Sequence, residues 1–177
     1  MPWVNNKRKK TNKNDDIIWV HDEIDADKGS DPARYIKTVV EAFKIGEEEI
    51  VLAVVWTTKE GRLNHVKYPD VLQVDATFGK NNEKRPQFCV IGKNALNRNI
   101  TFVDAFLPSQ QQYVFRWLFN DTLPRLLDKF ALSCTHIIMT DQDLHMIEGL
   151  SHPLNDLGLY GHALHRLCKW HKISFYH

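Results

Sequence analysis

An α/β fold, a mixed sheet with helices packed on its faces, is predicted by two features of this sequence. Between residues 71 and 106, three short apolar runs are separated by polar, turn-rich segments, which is the pattern of an antiparallel three-strand meander. After the meander, a helical apolar stripe leads into another buried run, His136 to Met139, and then into a second helical stretch, Leu144 to Leu150. A helix crossover between the third and fourth strands lets the fourth lie parallel to the first.

The elements follow in order. Residues 5–16, NNKRKKTNKNDD, have almost no apolar content and read as a disordered arm. Lys7, Arg8, Lys9 and Lys10 form a short basic cluster there: a nuclear import signal, a phosphate-grasping arm or a solvated tail. Asp31 and Pro32 suit an N-cap and first helical position, and Tyr35, Ile36, Val39, Val40 and Phe43 recur at helical spacing, so a helix is expected up to Gly46. Ile50 to Thr58 reads as a strand, Lys59 to Gly61 as its turn, and a weaker extended segment leads to Tyr68. Strands over 71–76, 87–91 and 100–106 are joined by a polar loop around 81–84 and a turn at 94–97. Ser109 and Gln112 have capping-box spacing ahead of a long helix, whose stripe runs from Tyr113 to Phe130 and which Pro124 should kink or restart. The expected organisation is a basic arm over 1–16, a helix-and-strand extension over 17–68, and the main domain over 69–177.

Composition narrows the class. The 177 residues are 43% hydrophobic and 25% charged, enough for one core, and a formal net charge of +1 imposes no global field toward nucleic acid or membrane. Cys89, Cys134 and Cys168 are odd in number and widely spaced, unlike a disulfide framework, so a reducing compartment is expected. The longest apolar run, Ile50 to Trp56, is too short to span a bilayer, and the N-terminus does not read as a signal peptide. No membrane partner is implied, and the expectation is a soluble intracellular protein.

Asp75 carries the first chemical question, because the apolar strand of PDVLQVDATFG delivers a carboxylate straight from the core. An unpaired buried carboxylate is costly, so Asp75 should face water, a cation or a substrate, or else cap the turn through Thr77 and Gly79. Asp141 ends the fourth strand in the same way. On parallel neighbouring strands the two would emerge at one sheet edge, where a divalent cation relieves their repulsion. Such a site suits displacement at phosphorus. The alternative for Asp141 is an N-cap of the next helix, a role that Asp143 fits best.

The segments DVLQVDATFG, RPQFCVIG, FVDAFLPS, HIIMTDQD and HRLCKWH, in this order over residues 69–172, resemble the transposase domain of Mutator-like elements (MULE), in the ribonuclease H-like superfamily. The resemblance implies a ribonuclease H-like mixed sheet, the three-strand antiparallel meander plus parallel strands, with flanking helices. It also implies a DDE triad that binds Mg²⁺ or Mn²⁺ and cuts and joins DNA, with Asp75 and Asp141 as the first two acids. Cys168 and His171 match the family's Cys-x-x-His element. The family glutamate lies beyond that element, and no Asp or Glu follows Asp156 here. Either the natural chain continues past His177, or the domain is a truncated, decayed or repurposed copy that lacks the third acid; cleavage and transfer are the ancestral activity that the resemblance implies. Glu148 precedes the Cys-x-x-His element and reads as a solvated helical acid. DNA is the implied partner and the nucleus the implied location. A homo-oligomer is compatible with the resemblance, and a domesticated non-catalytic DNA-binding or protein-interaction module is the alternative.

His162, His165, Cys168 and His171 recur every three residues. Each such step turns a helix by about −60°, so the four cannot close one tetrahedron. In a strand, neighbours three apart also face opposite ways, and only a neighbouring pair such as Cys168 and His171 fits one helix face. They read as half of a Zn²⁺ site, as an element that contacts DNA, or as a buried thiol and a hydrogen-bonded histidine. Arg166, Lys169 and Lys172 give the segment a basic face suited to DNA phosphates, or simply to solvent.

Overall fold

A hairpin opens the part of the chain that the computed structural model describes, namely residues 37–45, 48–77, 84–156 and 158–168. Strand β1 (Lys37–Ile45) pairs antiparallel with β2 (Glu48–Thr57), from Lys37 opposite Thr57 to Ile45 opposite Glu48. This corrects the expected helix up to Gly46. The branched residues Thr38, Val39 and Val40 favour extended backbone, and the ladder with β2 outweighs a helical spacing that apolar residues can show by coincidence. The start of that expected helix, 31–36, and the basic arm lie outside the described residues.

A second correction follows β2. Residues expected as a turn and an extended segment form helix α1 (Lys59–Lys67), capped by the Thr58 hydroxyl, which accepts from the Gly61 N–H at 2.9 Å. Gly61 serves close packing rather than a turn: a Cβ there would lie 2.8 Å from the Phe102 carbonyl oxygen.

The meander forms as expected, with β3 (Val71–Thr77), β4 (Gln87–Lys93) and β5 (Asn99–Phe106). The loop expected around 81–84 lies largely outside the described residues. Helix α2 (Gln112–Trp117) starts after Gln111, and no capping box forms, because the Ser109 hydroxyl accepts from the Gln111 N–H at 3.4 Å instead. The helical stripe is broken rather than continuous. It runs through a π turn (Leu118–Thr122) into α3 (Leu123–Leu126), stops at the extended Leu127, and restarts as α4 (Lys129–Ser133), capped by Asp128. Pro124 accounts for part of this, since it has no N–H to continue the helical ladder. The Leu123 N–H reaches back to Leu118 in π fashion, so the Phe119 carbonyl takes its hydrogen bond from the Tyr160 hydroxyl, at 2.8 Å. Strand β6 (Ile137–Thr140), helix α5 (Leu144–Asn155) and strand β7 (Leu164–Leu167) complete the described chain.

Among the described residues, seven strands form one sheet in the order β1-β2-β5-β4-β3-β6-β7. β3, β6 and β7 are parallel neighbours, and the other pairings are antiparallel. Meander plus parallel strands is the ribonuclease H-like arrangement that the sequence predicts. Leu72, Val74, Phe88, Val90, Val103, Ala105 and Ile138 share one face and pack with Phe115, Leu118, Leu126, Leu132, Met146 and Leu150 from the helices. Burying this face is the main stabilising contribution. At Gly149, α5 approaches α2 so closely that a Cβ would lie 2.6 Å from that of Phe115.

Candidate functional site at the carboxylate edge

The register of β3 and β6 places the two strand-terminal acids. Gln73 stands opposite Met139 in parallel pairing, so two residues further on Asp75 and Asp141 reach the same edge of the sheet, on strands about 4.8 Å apart. Both are half-buried. Asp75 lies on the sheet face opposite the helical layer, because Leu72 and Val74 alternate into the core.

Asp75 belongs to a row that crosses three strands. It stands opposite Cys89 on β4, and Cys89 stands opposite Asp104 on β5. Directly opposed residues share a face, so the thiol sits between two carboxylates. Burial, followed by the charges of Asp75 and Asp104, pushes the Cys89 thiol up to about 11, against a smaller lowering by a backbone hydrogen bond at Asp75. Burial also raises the Asp104 carboxyl above the ordinary carboxylate range. Sequence reading missed this row, because only cross-strand register brings residues 75, 89 and 104 together.

Asp141 is held locally. Its Oδ1 accepts from the Asp143 N–H at 3.0 Å, and Asp143, as expected, caps α5 by accepting from the Met146 N–H at 3.0 Å. The Thr140 hydroxyl donates to the Asp141 main-chain oxygen at 2.9 Å and lies 2.8 Å from His165 Nε2. A hydroxyl has one proton, so here Thr140 accepts from a protonated Nε2. Burial and the neighbouring charge of Arg166 lower the His165 pKa, consistent with a neutral ring carrying its proton on Nε2.

The remaining residues singled out from the sequence are partly brought to this edge. Cys168 is half-buried and continues the β6–β7 pairing through its N–H to the Thr140 carbonyl at 2.7 Å, which sets it beside Asp141. Arg166 is exposed and registered with Met139, hence on the face that carries Asp75. Glu148 is exposed on α5, and His162 is exposed in the loop before β7. Lys169, His171 and Lys172 lie outside the described residues. Among the described residues, no three His, Cys, Asp or Glu side chains cluster as a metal site, and Asp75 and Asp141 are the two candidate carboxylates that the register brings to this edge. Two carboxylates suit one hard divalent cation that keeps water in its other positions.

These features define a ribonuclease H-like domain with paired acids at the ends of its first and fourth core strands. The MULE transposase domain matches residues 71–174, and the chain belongs to that family. It is 27% identical over 128 residues to Protein FAR1-RELATED SEQUENCE 5 of Arabidopsis thaliana, covering 72% of this chain and 15% of that protein. It is 23% identical over 133 residues to Protein FAR-RED IMPAIRED RESPONSE 1 of the same plant, covering 75% of this chain and 15% of that protein. The chain thus spans about 15% of the length of these curated relatives. No solved structure matches it significantly. Among the described residues, no helix is long and apolar enough to cross a membrane.

Proposed function

We propose that this transposase-derived domain acts on DNA in the nucleus, with Asp75 and Asp141 sharing one Mg²⁺ or Mn²⁺ at the sheet edge. The register that brings the two aspartates to the ends of adjacent parallel strands carries this reading. In the ancestral reaction a metal supplies Lewis-acid stabilisation at the phosphate. This chain contributes two carboxylate oxygens for the ion and Arg166 on the same face for a phosphate. Cleavage needs positioning to a fraction of an ångström, and two aspartates with no third acid do not fix two ions. These 177 residues therefore hold DNA without cutting it efficiently.

A second reading, a domesticated module that binds DNA or protein without chemistry, draws support from the relatives, one of which is named for an impaired response to far-red light. The deciding experiment incubates the purified chain with supercoiled plasmid and Mg²⁺ or Mn²⁺, beside an Asp75→Ala variant. Little nicking by the parent is the expected outcome. Robust nicking that disappears in the variant would show that another group completes the site.

A further inference from the structure

We infer that Thr140 and His165 are positioning residues that hold Asp141 in place for a cation. The inference rests on the proposed role of Asp141. As the first residue after β6, an aspartate here would ordinarily be free to rotate both its backbone and its carboxylate. Three contacts remove that freedom. The buried Thr140 hydroxyl donates to the Asp141 main-chain oxygen at 2.9 Å and so fixes the peptide that follows it. His165 of β7 closes the other side of the hydroxyl at 2.8 Å. The Asp143 N–H holds Oδ1 at 3.0 Å, and Asp143 is anchored in turn as the cap of α5. Oδ2 has no hydrogen-bond partner among the described residues and is the oxygen left for a ligand.

This arrangement links β7 to the acid on β6 from inside the sheet. His165 is registered with Ile138, and Thr140 lies two residues further along β6, so both side chains sit on the core face while Asp141 stands at the edge. The Thr140 hydroxyl is fully buried, so its hydrogen bonds must come from protein groups, and the half-buried His165 supplies one of them. The cost of burying the Thr140 hydroxyl is offset, and the geometry of Asp141 is set, by the same two contacts. Partners that orient a metal-binding group in this way typically alter metal affinity by about 10–100-fold when removed.

The experiment uses the whole chain and two readouts: Mn²⁺ binding by calorimetry and residue-resolved amide exchange. Thr140→Val keeps the shape and deletes the hydroxyl. It should weaken Mn²⁺ binding by about tenfold and speed exchange of the Asp143 amide relative to the amides of Ile138 and Met146. Thr140→Ser should restore both, and His165→Leu should act in the same direction by a smaller factor. Parent-like Mn²⁺ affinity and exchange in Thr140→Val would overturn the inference while leaving the reading of Asp75 and Asp141 intact. So would uniform faster exchange across the core, which would mark a purely structural role. If the parent takes up no Mn²⁺, the cation in the proposed function fails, and exchange alone decides: selective speeding at Asp143 supports the positioning role, and unchanged exchange overturns it.

Discussion

Asp75 stands directly opposite Cys89 across the β3–β4 ladder, and this pairing places a thiol against the first aspartate of the site. Burial, and then the negative charges of Asp75 and Asp104, push the thiol up to about 11. Alkylation requires the thiolate, so Cys89 should resist iodoacetamide at pH 8 and label only as the pH nears 11. Asp75→Asn should move its labelling midpoint down without restoring an ordinary thiol, because burial remains. Peptide mass spectrometry across pH measures this, and a midpoint near 9 in the parent would contradict the packing. The linkage has a sign: with a folded value raised above the ordinary thiol value of 9.0, the contribution of Cys89 to stability is full below pH 9 and is lost as pH rises through 11.

Tyr160 and Phe119 yield a stability prediction. The Tyr160 hydroxyl is fully buried and satisfies the carbonyl that the π turn and Pro124 leave without a helical donor. Tyr160→Phe keeps the ring against Phe119 but strands that carbonyl, and should cost about 1–3 kcal/mol. Urea denaturation with an unchanged m-value would report it. A neutral effect would mean the carbonyl finds another donor.

The sequence made the meander, the crossover and the strand-end acids legible, because each depends on local signals: apolar runs bounded by turn residues, and a charge at the end of such a run. Residues 37–45 were misread because Val39, Val40 and Phe43 fit helical spacing as well as they fit a strand, and the β2 ladder decides between the two. Gly61 looked like turn punctuation, but its reason is the Phe102 carbonyl, which lies far away in sequence. The Asp75–Cys89–Asp104 row and the His165–Thr140–Asp141 chain were invisible for the same reason. Register, not composition, brings them together.

His65 predicts an acid-side weakness. It is fully buried, packs edge-to-face on Phe102 at 5.2 Å, and has no hydrogen-bond partner for either ring nitrogen among the described residues. Burial lowers its pKa to about 4, against a smaller raising by Asp128. The folded value is depressed, so the stabilisation is present above pH 6.5 and is lost as pH falls through 4. At full extent the difference corresponds to roughly 3 kcal/mol. His65→Phe preserves the aromatic contact and should flatten thermal stability between pH 6.5 and 4. An unchanged pH slope in the variant would assign the loss to other groups.

The proposed contact with DNA has a consequence for salt dependence. Arg166 is exposed on the face that carries Asp75, from which β6 separates it, so a phosphate held by Arg166 would run along the edge proposed for a cation. A domain without a large net charge gains affinity from such local contacts, and each phosphate neutralised releases counterions. Affinity for duplex DNA, read by fluorescence anisotropy, should therefore fall steeply as salt rises and depend little on sequence. Arg166→Gln should weaken binding alike across sequences and reduce the slope of log affinity against log salt by about 1. The contact is to the backbone, so no base preference should change. Equal binding in low and high salt, or no binding, would move the assignment to the protein-interaction reading. A slope unchanged in Arg166→Gln would keep DNA as the partner but place it on another face of the sheet.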